Sequence, residues 1–73
     1  MNLAGRELVV NHLTDDPDAE SVVGDIVVIE DIWGSGDNIW LICRNKRLGK
    51  SCPYKLDQFD DPALTKLRGG QIG

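Results

Sequence analysis

Cys43, Cys52 and the lone His12 are the side chains of this sequence best suited to ligation or nucleophilic chemistry. A structural zinc site wants four ligands in closely spaced pairs. Eight residues separate the two cysteines and His12 lies far from both, so no spacing here asks for a metal. The expectation is two reduced thiols, with Cys43 a small core residue in one strand and Cys52 near it on the next, close enough to bridge on oxidation. Nucleophilic catalysis needs a base within hydrogen-bond reach of the nucleophile, usually with a third group to orient it. His12 has Asp15 and Asp16 as sequence neighbours. No serine or cysteine carries a nucleophile motif, and "GSG" at 34–36 lacks the strand-to-helix elbow. His12 is therefore expected at the surface, in a chain that is not an enzyme. "LGKS" at 48–51 ends like a phosphate-binding loop, but the glycine required five residues before Gly49 is Arg44. "GSGDN" lacks the third glycine and the helix of a dinucleotide site. No cofactor is implied.

Charge is the more informative signal. "CRNKRLGKSCPYK", residues 43–55, holds five of the eight basic residues, Arg44, Lys46, Arg47, Lys50 and Lys55, and no acidic one. Before Cys43 stand nine acidic residues and only Arg6 as a base, and the whole chain carries a net charge of −4. Overall acidity argues against general affinity for nucleic acid. A surface that merely keeps a protein soluble mixes its signs, so the single-sign block reads as a docking surface for phosphate or for an acidic protein face. Four of its five basic residues, Arg44, Lys46, Arg47 and Lys50, are expected to be exposed and dispensable for folding. Asp15, Asp16, Asp18 and Glu20 form the opposing acidic block, and the segregation predicts a dipolar molecule suited to oriented encounter. Trp33 and Trp40 flank a glycine-rich turn, so they can face one another near its tip. There they could stack bases or anchor a protein interface. The competing expectation is that a small sheet needs at least one of the rings in its core.

These side chains have to be positioned by a small scaffold. Seventy-three residues make one domain, expected over residues 1–68 with a flexible tail at 69–73, and a chain of this size buries only about 60% of its unfolded surface. The absence of a signal peptide or a long apolar run points to a soluble, cytoplasmic chain. "DIVVIEDIW" is β-branched, with Val27, Ile29 and Trp33 expected on one face and Ile26, Val28 and Ile32 on the other. "GSGDN" supplies the positive φ angles of a hairpin, and "IWLICR" is the return strand. After a second turn around Asn45 or Gly49, "KSCPYKL" forms a third strand at an edge or ending at Pro53, which has no N–H for a central ladder. Leu3, Glu7, Leu8, Val9, Val10 and Leu13 fit an amphipathic helical turn or two, or "ELVVNHL" forms a first strand. Asp61 before Pro62 predicts an N-capped helical turn. The fold class is mainly β to α+β: a small curled antiparallel sheet or an SH3-like barrel with short helical pieces.

Across its whole length, through "MNLAGRELVVNHL", "GDIVVIEDIWGSGDNIWLICRNKRLGK" and "CPYKLDQF", the chain resembles the small RNA polymerase-binding transcription regulators of lytic Xanthomonas bacteriophages. The resemblance implies a monomeric, non-catalytic protein acting in the bacterial host cell. Its implied partner is the N-terminal region of the polymerase β′ subunit near the RNA exit channel. There it would disturb sigma-factor binding, inhibit initiation and promote antitermination, helped by an elongation factor of the NusA type, with contact to nascent RNA open. No contact residue follows from the resemblance. The alternative from the residues alone is a small nucleic-acid-binding barrel using Trp33, Trp40 and the basic segment.

Overall fold

The computed structural model describes residues 3–14, 19–35 and 38–64. Among the described residues four strands form one antiparallel sheet in the order of the sequence: β1 (Glu7–Val9), β2 (Ile26–Ser35), β3 (Asn38–Asn45) and β4 (Lys50–Lys55). The protein is thus mainly β, a curled open meander with β1 and β4 as its edges. Segment 7–9, ambiguous by periodicity, is a strand because its short apolar run pairs with the start of β2, Leu8 opposite Val27.

The β2–β3 hairpin is joined by two residues, with Ser35 opposite Asn38. Gly34 holds φ at +88°, and a Cβ there would lie 2.0 Å from the Asn38 carbonyl oxygen, so only glycine fits. Pro53 sits within edge strand β4, opposite Ile42, where its missing N–H costs no central hydrogen bond. A 3-10 turn, Leu56–Gln58, follows β4, and helical backbone begins at residues 62–64. Asp61 caps this turn as expected: its Oδ1 accepts the Ala63 N–H at 2.9 Å. Arg6 grips the same carboxylate through Nε at 2.7 Å and Nη2 at 2.9 Å, tying the segment before β1 to the turn at Asp61. The tail at 69–73 lies outside the described residues.

The core lies on one face of the sheet. Leu8 and Val10, Val27 and Ile29, Leu41 and Cys43, and Tyr54 point inward at alternate positions, and Leu3, Leu56, Phe59 and Leu64 close over them. The Tyr54 and Phe59 rings meet at a centroid distance of 5.7 Å.

The face assignment for the end of β2 requires correction. Register between β2 and β3 shifts between Ile29, which faces Cys43, and Asp31, which faces Ile42. Glu30 is the extra residue of a β-bulge, and an extra residue reverses the side-chain alternation beyond it. Ile32, expected on the face opposite Val27 and Ile29, therefore packs against the core with them, and Trp33, expected on their face, turns out to solvent. Neither tryptophan belongs to the core: Trp33 is 58% and Trp40 38% exposed.

Candidate interaction surface

The basic segment divides into two groups once folded. Lys46, Arg47 and Lys50 each meet an acidic side chain from the first half of the chain. Lys46 Nζ lies 2.7 Å from Glu7, Lys50 Nζ contacts Glu20, and Arg47 contacts Asp25. The segregation of charge in the sequence thus becomes contact between opposite charges in space. Arg44 and Lys55 form no salt bridge among the described residues. Arg44 Nη2 donates to the Gly49 carbonyl at 3.2 Å, and Lys55 Nζ sits 5.1 Å from the Trp40 ring centroid. Burial of Arg44 and Lys55 against a partner would break none of the salt bridges among the described residues.

Arg47 departs from the expectation of a dispensable surface cation. Its Nε donates to Asp25 Oδ1 at 2.8 Å and its Nη2 to Oδ2 at 3.0 Å, a two-point pairing, and Nη2 also reaches the Glu20 carbonyl at 2.8 Å. The Asp25 carboxylate is nearly buried, at 4% exposure. It also accepts the Val22 N–H at 3.0 Å and Asn45 Nδ2 at 3.0 Å. These bonds, that from Arg47 first, hold the Asp25 carboxyl well below the usual carboxylate range. Asn45, wholly buried at the end of β3, is the hub. Its Nδ2 also donates to Tyr54 Oη at 3.0 Å, and its Oδ1 accepts the Arg47 and Leu48 N–H groups at 2.9 and 3.1 Å. Tyr54 Oη and Ser21 Oγ are 2.6 Å apart. Burial raises the Tyr54 pKa.

Sequence reasoning missed this network, treating Asn45 only as a turn former. The one local signal was the pair of downstream N–H groups that an asparagine at a turn can accept. The links from residue 45 to 25 and 54 are set by strand register. Because the network fixes both ends of the basic turn, Arg47 has a structural role whatever else it does.

The outer face of the sheet carries the other expected residues. Trp33 is directly opposite Trp40, and Trp40 is opposite Lys55, so the three form one row across β2, β3 and β4. Trp33 Nε1 donates to Asp31 Oδ2 at 2.7 Å, which fixes the indole while its ring remains exposed. The next outward row holds Asp31, Ile42 and Pro53, and the one beyond it Val28, Arg44 and Ser51. Arg44 and Lys55 thereby flank an apolar patch of Trp40, Ile42 and Pro53. Glu30, hydrogen-bonded to Ser51, and Asp31 add negative charge towards β2. Glu20 is in contact with Lys50 and lines a groove with Trp40 and Lys55; Asp15, Asp16 and Asp18 lie outside the described residues.

His12 is exposed, as expected, but its neighbour is Asp60, with Nε2 3.0 Å from Oδ1. No group of three or more histidine, cysteine or acidic residues that could hold a metal ion occurs among the described residues. A groove of about 500 Å³ runs beside β4, lined by Leu13, Glu20, Trp40, Cys52, Tyr54 and Lys55 among others. No described helix is long and apolar enough to cross a membrane. Comparison with protein-family models, curated proteins and solved structures finds no match to this chain.

Proposed function

We propose that this chain is a non-catalytic regulator of bacterial transcription that docks on RNA polymerase through the outer face of its sheet. The observation carrying a protein-docking role is the row Trp33–Trp40–Lys55, two opposed and exposed tryptophans with a cation over one ring. Exposed aromatic rings beside Arg44 and Lys55, which form no salt bridge among the described residues, suit a protein hot spot, where tryptophan and arginine are enriched. The choice of polymerase rests on the resemblance to the phage regulators. On that reading the target is the β′ N-terminal region near the RNA exit channel. Binding a polymerase state that sigma disfavours would lower sigma's affinity by linkage. A small domain held at the exit channel would hinder terminator hairpins, with a NusA-type factor assisting.

A second reading is favoured by the same row: a nucleic-acid module that stacks bases on Trp33 and Trp40. The internal pairing of Lys46, Arg47 and Lys50 weighs against it, since phosphate binding draws on free cations. If Arg44 and Lys55, the two cations of the segment in no salt bridge among the described residues, neutralised the phosphates, the slope of log affinity against log salt for a single strand would be about −1.4.

The test is co-elution of the purified chain with purified bacterial RNA polymerase after nuclease treatment, alongside a Trp33→Ala/Trp40→Ala variant and a labelled single-stranded RNA. Co-elution of the native chain, reduced in the variant, and weak RNA binding support the regulator. No co-elution with polymerase overturns it, and tight RNA binding in that case establishes the nucleic-acid module.

A further inference from the structure

The two thiols are directly opposed across the β3–β4 ladder, Cys43 facing Cys52, and both side chains turn to the core side of the sheet. Directly opposed residues of an antiparallel pair have Cβ atoms about 4.5–5.5 Å apart, near enough to the Cβ separation of a disulfide for a small shift of an edge strand to close the gap. Strand β4 is such an edge. The thiols differ in access. Cys43 is fully buried, whereas Cys52 is half-buried and forms part of the wall of the groove beside β4. Both are free thiols.

From this juxtaposition we infer that Cys43 and Cys52 form a thiol–disulfide exchange site for low-molecular-weight disulfides, in which Cys52 is the entry thiol and Cys43 the resolving one. In the first step the Cys52 thiolate attacks one sulfur of a disulfide RSSR. The RSSR bond breaks, a mixed disulfide forms on Cys52, and RS⁻ leaves to be protonated by solvent. In the second step the Cys43 thiol gives its proton to solvent and its sulfur attacks Cys52 Sγ. The Cys43–Cys52 bond forms and a second RS⁻ leaves and is protonated. Two protein thiols are oxidised to one disulfide while RSSR is reduced to two RSH, so the balance closes with the small disulfide as the oxidant. Accessibility sets the order, because a reagent entering the groove meets Cys52 and is kept from Cys43 by the core. Burial also keeps the Cys43 thiol protonated, which makes the second step the slower one and lets the mixed disulfide accumulate.

The inference is independent of the partner proposed above and is tested on the isolated chain. Native protein is incubated with excess glutathione disulfide and followed by intact mass, with peptide mapping of the sites. The expected course is one glutathionyl group added at Cys52, then lost as the protein becomes two hydrogens lighter than at the start, with no covalent dimer. Cys43→Ala should stop at the Cys52 adduct, and Cys52→Ala should resist modification at least tenfold longer than the native chain. A native adduct that forms and persists without bridging, an adduct mapping first to Cys43, or a bridge only between two molecules would overturn the inference. The native time course alone decides this if either variant fails to fold, and dithiothreitol should return the bridged form to its starting mass.

Discussion

Arg47 holds Asp25 at two points, with Nε 2.8 Å from one carboxylate oxygen and Nη2 3.0 Å from the other, although the two residues are 22 apart in sequence. The pairing fixes the entry of β2 against the turn leaving β3. Arg47→Glu should therefore lower the urea midpoint more than the same reversal at Arg44, Lys46 or Lys50. Lysine should not rescue it fully, because an ammonium cannot reproduce the two-point geometry. Asn45→Ala strips the same network of its hub and should cost about 2–4 kcal/mol. Urea titrations of the variants check both statements.

The network also sets an acid limit. Asp25 and Asp61 are each held below their ordinary values, chiefly by hydrogen bonds from Arg47 and Arg6 respectively. The unfolded chain takes up their protons first as pH falls, so their contribution is present above about pH 4 and is lost progressively below it. Asp25→Asn should be less stable at pH 7 and show a shallower fall of stability between about pH 4 and pH 2. A fall of unchanged steepness would mean that other carboxylates control acid unfolding.

At the alkaline end the sign reverses. Burial pushes the Cys43 thiol from 9.0 up to about 12, so the native state retains a proton that the unfolded chain releases. Stability should decline as pH rises from 9.0 towards 12. In Cys43→Ala, measured under reducing conditions, that decline should be less steep, leaving the part due to Tyr54, whose hydroxyl is also raised by burial.

Gly34→Ala should weaken the main hairpin by about 2 kcal/mol or more, since the added methyl meets the Asn38 carbonyl and the positive φ disfavours any side chain. Thermal unfolding by circular dichroism would measure this. A shift within error would mean that the hairpin tip can rearrange at little cost.

Docking and stability should separate on the outer face. Trp33→Ala/Trp40→Ala should leave stability within about 1 kcal/mol of the native chain, the scale of a cross-strand pair, yet, on the proposed function, weaken polymerase binding at least tenfold. Charge reversal should discriminate in the same assay: Arg44→Glu with Lys55→Glu should weaken binding, whereas Lys46→Glu with Lys50→Glu should change it little. Equal losses from the two pairs would return the whole basic segment, paired or not, to the docking surface.

The hairpin, the edge position of Pro53 and the Asp61 cap were readable in the sequence because each depends on local chemistry: β-branched runs, glycine at positive φ, proline without an N–H. The sorting of the cations was not. Whether Lys46 is paired depends on Glu7, 39 residues earlier and brought close by strand order. The outward turn of Trp33 was hidden for another reason, since Glu30 has the composition of an ordinary surface residue and its surplus appears only when β2 is laid against β3. Cys43 and Cys52 were expected on adjacent strands and are so placed, because the turn between them is short enough to fix their register.

The bulge at Glu30 also gives β2 a parity. Before it the odd-numbered positions Val27 and Ile29 face the core; after it the even-numbered Ile32 does. Removing one residue there would exchange Ile32 and Trp33, sinking an indole and lifting an aliphatic chain, while leaving the composition of the hairpin almost unchanged. The hairpin arms can therefore change length by two residues more safely than by one.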